Sequence, residues 1–180
     1  MKKQFIATFS KAALILSVGL LTPAAKAQTN NISNPLVDYD TFLSHAADVG
    51  KLRSERRLTE EQFIQLSAQR GTIVFDARSD DKYKMLHIKG ARHLSFPEIT
   101  AAELAKLFPD KSTRILIYCN NNFLNSPVAF ASKVASASLN IHTFNTLYSY
   151  GYTNVYELGP LIDIKKSKLG FAGTVVANQQ

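Results

Sequence analysis

The stretch Arg114-Ile115-Leu116-Ile117-Tyr118-Cys119-Asn120-Asn121-Asn122-Phe123-Leu124-Asn125-Ser126-Pro127 decides how the chain is read. Its first five residues are nearly all apolar and rich in β-branched side chains, the pattern of a strand buried on both faces. A thiol follows, then a polar loop. Ser126 and Pro127 then read as an N-cap and a first helical residue, which predicts a helix through about Ala137. In a parallel sheet, Cys119 would stand where ligands bind, outside the carboxyl ends of the strands. A strand–thiol–loop–helix unit can turn backbone N–H groups toward the sulfur, and a helix N-terminus adds about half a positive charge. Both effects favour the thiolate, which is the nucleophile. Three successive asparagines suit a tight cradle, because Asn tolerates left-handed backbone. The same residues also fit a small buried cysteine that finishes a strand.

Outward from this stretch, Thr72 to Asp76 is a second buried strand, Asn154 to Leu158 a third and Ala91 to Leu94 a brief fourth. Between them lie helical patterns. Val37 to Val49 carries apolar residues at Tyr39, Phe42, Leu43, Ala46 and Ala47, which is helical spacing. Thr59-Glu60-Glu61-Gln62 is a capping box opening a helix over 60–69 that Gly71 ends. Further helices are predicted from Ser79 through Leu86, from Thr100 to Phe108 and around Phe144 to Tyr150. Lys51 to Arg57 reads as a charged connector, and the tail from Lys165 as surface-wrapping or frayed. Strands alternating with helices predict an α/β fold: a central, mostly parallel sheet with helices on both faces.

The composition, 46% apolar and 19% charged over 180 residues, suits about one globular domain and excludes disorder. The net charge of +7 is concentrated at one end. Lys2, Lys3, Lys11 and Lys26 lie in an acid-free start, and without them 17 basic residues face 14 acidic ones. That is no footprint for a nucleic-acid partner. The start itself reads as a signal peptide: a charged n-region, an apolar run from Ala12 to Leu21, Pro23, and Ala25-Lys26-Ala27 as cleavage pattern. Cleavage is expected after Ala27, in the manner of a bacterial protein exported to the periplasm or secreted. No membrane association is expected after its removal. Residues 28–56 form a flexible and helical extension, 57–164 the main domain and 165–180 the tail. Cys119 is the single cysteine. In an exported protein it either pairs with another chain, is buried and inert, or is kept for its chemistry. The four scattered histidines and lone thiol give no metal-ligand spacing, so no metal is expected.

Four segments, taken in order, resemble the rhodanese-like domain family from about Arg57 to Ile162. They are Val74-Phe75-Asp76-Ala77-Arg78, then His87-Ile88-Lys89-Gly90-Ala91-Arg92-His93-Leu94, then Ile115-Leu116-Ile117-Tyr118-Cys119, and a weaker match over Tyr148 to Gly159 containing Gly151. The resemblance implies a sulfurtransferase. The Cys119 thiolate would take sulfane sulfur from a small anion such as thiosulfate and pass it, as a persulfide, to cyanide or a thiol, with a protein as a candidate partner. No cofactor is implied. Asn120, Asn121, Asn122, Phe123, Leu124 and Asn125 would form the anion-binding loop through their backbone N–H groups. Asp76, Arg78 and His87 would lie near the site in structural roles.

The loop departs from the family in two ways. It carries Asn120 after the cysteine and Asn125 where an arginine would close it, and so has no cation. It also counts one residue longer than the sulfurtransferase loop, as in phosphatases and arsenate-type enzymes of this fold. A catalytically weak module binding an oxyanion or a protein partner is therefore an alternative, and a Cys-dependent phosphatase a second one. The missing arginine counts against the second, because phosphoryl transfer needs fixed positive charge. Phe123 and Leu124 would either wall the pocket or offer a docking patch.

Overall fold

In chain order the elements are α1 (Tyr39–Arg56), β1 (Arg57–Leu58), α2 (Glu60–Ser67), β2 (Thr72–Asp76), α3 (Asp80–Met85), β3 (His87–Ile88), β4 (Arg92–His93), α4 (Ala101–Leu107), β5 (Arg114–Tyr118), β6 (Phe123–Leu124), α5 (Leu139–Ser149), β7 (Val155–Leu158), β8 (Ile162–Asp163), β9 (Phe171–Ala172) and α6 (Thr174–Ala177). They come from a computed structural model that describes residues 34–177. The expected signal peptide, residues 1–27, and the start of the extension lie outside the described residues. The chain divides at Pro35, and everything below concerns the unit that begins at Leu36.

The central sheet is five-stranded and parallel, in the order β1-β7-β5-β2-β4. β5 sits in the middle, and its alternating side chains explain its apolar run. Ile115 and Ile117 enter one core with Phe75, Leu104, Phe108, Phe144, Leu147 and Val155. Leu116 and Tyr118 enter the other with Phe63, Val74, Phe123, Phe130 and Leu158. The first core lies under α1, α4 and α5, the second under α2 and the chain around β6 and β9. A strand with both faces covered cannot alternate polar with apolar.

Local signals hold at several ends. The Thr59 hydroxyl accepts from Gln62 N–H at 3.2 Å, and the Gln62 side chain accepts from Thr59 N–H at 2.9 Å. Thr100 caps α4 through Glu103 N–H. Gly71 turns the chain out of α2 with φ 80°.

Four expectations are corrected. First, Lys51 to Arg56 continues α1. Leu52 packs into the core, Arg53 grips the buried Glu157 carboxylate in a two-point pair (2.7 and 3.0 Å), and Arg56 donates to the Thr153 carbonyl. Arg53 and Arg56 are docked on β7 and its approach, while Lys51 pairs with Asp48 at the surface. Second, residues 126–137 form no α-helix. A turn joins Phe130 N–H to Ser126 C=O (2.8 Å), and a single 3₁₀ turn spans Ala135–Ala137. Only the adjacent Ala129 and Phe130 are buried there, so the segment has no helical stripe to pack. Third, α5 begins at Leu139, ahead of the predicted Phe144, because Asn140, Thr143, Phe144 and Leu147 form its buried face. Fourth, the tail is docked: β9 pairs antiparallel with β3, Leu169 is buried, and Phe171 stacks edge-on against Phe123. Among the described residues no helix is long and apolar enough to cross a membrane.

Candidate functional site

β5 delivers Cys119 at its carboxyl end in extended conformation, φ −148°. The residue is 1% exposed. Asn122 backbone N–H donates to Cys119 C=O at 3.2 Å, while Cys119 N–H donates to Asn122 Oδ1 at 2.8 Å. The Ser138 hydroxyl lies 3.4 Å from Sγ.

The three asparagines act through their side chains. Asn122 Nδ2 donates to Leu158 C=O (2.8 Å) and Pro160 C=O (3.2 Å), which ties the loop to the end of β7. Its Oδ1 also accepts from Asn140 Nδ2 at 3.1 Å. Asn120 Nδ2 donates to Ala131 C=O at 2.6 Å. Asn121 makes two bonds to one residue, donating to Lys133 C=O (2.8 Å) and accepting from Lys133 N–H (2.9 Å). Backbone groups that a helix over 126–137 would pair internally are thus taken by side chains of the cysteine loop.

The expected six-residue amide cradle is not what this loop forms. Asn120–Asn122 is a 3₁₀ turn, and Phe123 N–H donates to Asn120 C=O. The Phe123 ring packs in the core against Tyr118, Phe130 and Phe171, so it walls no pocket. Leu124 pairs with Asp163 through β6 and β8 and has an exposed side chain. Asn125 takes the left-handed conformation, φ 63°, at the loop's far end, and the Asn triplet does not. Without a helix at 126–137, no helix dipole reaches the sulfur from there. The Ser138 hydroxyl is the side-chain group within hydrogen-bond distance of it.

Asp76, Arg78 and Tyr118 form a buried network behind the cysteine. Arg78 pairs with Asp76 through Nε (3.0 Å) and Nη2 (2.6 Å), and its remaining N–H groups reach Ala129 C=O (2.9 Å) and Leu86 C=O (2.7 Å). Tyr118 Oη donates to Asp76 Oδ2 at 2.5 Å and accepts from Ile88 N–H at 3.1 Å. Burial pulls the Arg78 pKa down, but the Asp76 carboxylate outweighs it and holds the guanidinium above its ordinary value. Burial first, and the Asp76 charge second, push the Tyr118 phenol well above its usual range. Every strong donor of Arg78 is committed to the protein, so it braces the loop. His87 Nδ1 lies 2.7 Å from Tyr83 C=O and its ring stacks on Tyr83, away from the sulfur.

Beside Asn120, at the carboxyl ends of β2, β4 and β5, lies a cavity of about 520 Å³. Lys82 and Lys133 line it along with Phe96, Pro97 and Leu139. Ser138, Asn140 and Lys133 were absent from the residues expected at the site. Each reaches it from a segment that no local motif connects to the cysteine.

The family model of the rhodanese-like domain matches residues 59–159, more than half of the chain. The chain belongs to the rhodanese-like domain family. The matched residues contain four of the five strands of the central sheet, all but β1, together with Cys119, Ser138 and Asn140. Among solved structures, the BH2092 protein of Bacillus halodurans is 18% identical, with 76% of this chain and 88% of that one covered and a TM-score of 0.45. A thiosulfate sulfurtransferase from Pseudomonas aeruginosa is 22% identical over 77% of this chain and 23% of that one, TM-score 0.45. The rhodanese-like domain of the Alr3790 protein from Anabaena sp. is 19% identical over 68% and 82%, TM-score 0.45. No curated protein matches the chain. Against the rhodanese-like pattern, this site keeps the strand-borne cysteine.

Proposed function

We propose that this rhodanese-like chain transfers sulfane sulfur through a persulfide on Cys119, in the periplasm after removal of residues 1–27. The thiolate attacks the outer sulfur of a thiosulfate-like donor. A bond forms between Sγ and that sulfur, the donor's S–S bond breaks, and the electron pair leaves with sulfite. A thiolate or cyanide then attacks the terminal sulfur and regenerates the Cys119 thiolate. The observation that carries this reading is the place of the thiol: Cys119 follows the carboxyl end of the central strand, with the Ser138 hydroxyl 3.4 Å from Sγ. Because Cys119 is buried, turnover requires its sulfur to be uncovered, and the segment that ends at Ser138, beside Sγ, is the part that opens. Residues 131–136 are all exposed, and side-chain hydrogen bonds hold the segment to the loop.

A second reading is a rhodanese-like module that binds a partner without turnover. The near-complete burial of Cys119 favours it. Intact-mass measurement separates the two. The chain is weighed after thiosulfate and again after cyanide. Sulfur transfer predicts a gain of about one sulfur atom that cyanide removes and that Cys119→Ser lacks. Absence of any adduct with thiosulfate or an organic persulfide leaves the binding module.

A further inference from the structure

We propose that the cavity where α1, α5 and the turn Phe96–Glu98 meet binds a small, uncharged aromatic molecule that carries an N–H donor, with Asn145 as its specificity-determining residue. The site stands apart from sulfur transfer: neither Cys119 nor any residue of its loop lines the cavity.

Three observations carry it. The first is an unpaired acceptor. Asn145 on α5 is 6% exposed, and its Oδ1 is buried with no hydrogen-bond partner among the described residues. Leaving such an oxygen unpaired is costly, and native proteins rarely do so. Asn145 lines the cavity, which holds about 390 Å³ and falls in the size range of small-molecule sites. The amide torsion is broad and roughly two-fold, so a bound donor can draw Oδ1 toward itself. The second observation is that contacts between neighbouring side chains hold the walls. The Ser149 hydroxyl is 2.8 Å from His45 Nδ1, and the His142 ring meets the Phe96 ring edge-on, centroids 6.3 Å apart. The third is the chemistry of those walls. Phe42, Phe96 and Tyr150 supply aromatic surface, Phe42 and Tyr150 are both partly open to water, and none of the residues lining the cavity is Lys, Arg, Asp or Glu. A charged ligand finds no countercharge there. A flat ring packs against the aromatic side chains, and its N–H supplies the donor that Oδ1 lacks.

The test uses four probes on the full chain, with binding followed through the amide resonances of Phe42, Phe96 and residues 142–150. Benzamide carries both the ring and the N–H donor. Acetophenone has the same shape with a methyl group in place of NH₂, benzoate puts a charge there, and acetamide has the donor without the ring. Benzamide is expected to bind about tenfold more tightly than each of the other three, the effect of pairing one buried acceptor. Asn145→Leu should erase the advantage of benzamide over acetophenone while acetophenone still binds. The urea midpoint of that variant should not fall, because it loses an acceptor that the folded chain leaves unpaired. Phe42→Ala, at the open rim, should weaken benzamide and acetophenone alike. Any of the other probes binding as tightly as benzamide overturns the proposal, as does a preference that survives Asn145→Leu or a set of shifts centred on other residues. A lower urea midpoint for Asn145→Leu also overturns it, since the amide would then be serving the fold.

Discussion

Asn121→Ala should unlatch the segment that leads to Ser138, whose hydroxyl stands beside the Cys119 sulfur. The closed arrangement is held by Asn120 Nδ2 on Ala131 C=O (2.6 Å), by the Asn121 pair on Lys133 (2.8 and 2.9 Å), and by the Ser138 hydroxyl at the sulfur (3.4 Å). A hydrogen bond contributes about 0.5–1.5 kcal/mol net, so losing the Asn121 pair lowers the opening free energy by about 1–3 kcal/mol, with solvent exposure favouring the lower end. At 1.4 kcal/mol per factor of ten, the open population rises roughly five- to a hundredfold. The closed state also carries a cost of its own. Asn120 Oδ1 and Asn140 Oδ1 are buried without a protein partner, and opening lets water reach them. The assay is the rate at which iodoacetamide alkylates Cys119, followed by intact mass at low reagent concentration. Reclosing then outpaces labelling, and the rate follows the open population. The urea unfolding midpoint falls as well, because the unfolded chain also lacks the Asn121 bonds, so the control is a substitution of similar global cost elsewhere, Tyr118→Phe, which should leave labelling slow. A change in labelling of less than about twofold refutes the latch. So does a wild-type rate equal to that of a free thiol, or an equal acceleration in the control.

Arg78→Met should cost about 3–5 kcal/mol in urea unfolding, because it leaves the Asp76 carboxylate buried without its cation; a loss under about 1 kcal/mol would show that the pair is not a brace. Tyr118→Phe should reveal a pH dependence of known sign. The buried phenol has its pKa raised above the ordinary 10.0, so its contribution is complete below about pH 10 and is lost as pH rises toward the folded value, because the unfolded chain releases its proton first. The stability advantage of wild type over Y118F should therefore shrink above pH 10, and an advantage that grows there contradicts the network. Gly173→Ala should loosen the docked tail: the position has φ +126°, and a Cβ would meet Met85 O at 2.6 Å. Hydrogen exchange at Lys89, whose N–H donates to Gly170 C=O, should speed up, with unchanged exchange at β5.

Much of the scaffold could be read from the chain because its determinants are local. The buried strand Arg114–Tyr118 shows as an uninterrupted apolar run, since neither of its faces meets water. The capping box at Thr59 closes within four residues. Asp76 and Arg78 sit two positions apart and meet directly. Arg53 and Arg56 looked solvated because their partners, Glu157 and the Thr153 carbonyl, lie about a hundred positions away, and no periodicity records a partner at that distance.

The same contrast explains why the cysteine was legible and its surroundings were not. Ser126-Pro127 is a sound local signal for a helix start, but starting a helix is unfavourable unless a buried face repays it. Residues 131–136 offer no such face, for all six are exposed. Their backbone groups meet competing partners instead, the Asn120 and Asn121 side chains, which already stand at fixed positions because β5 fixes the loop. Asn side chains imitate backbone, presenting one carbonyl and one NH₂, so Asn121 holds Lys133 as a neighbouring strand would. The extended segment then brings Lys133 to the cavity and Ser138 to the sulfur. A helix with its start at Ser126 would have placed its positive pole near the thiol; here the start of α5 stands there instead, with its N-cap Ser138 hydroxyl 3.4 Å from the sulfur. Residues 131–138 lead from the carbonyl held by Asn120 to that hydroxyl, so the group beside the sulfur must respond to the loss of Asn121.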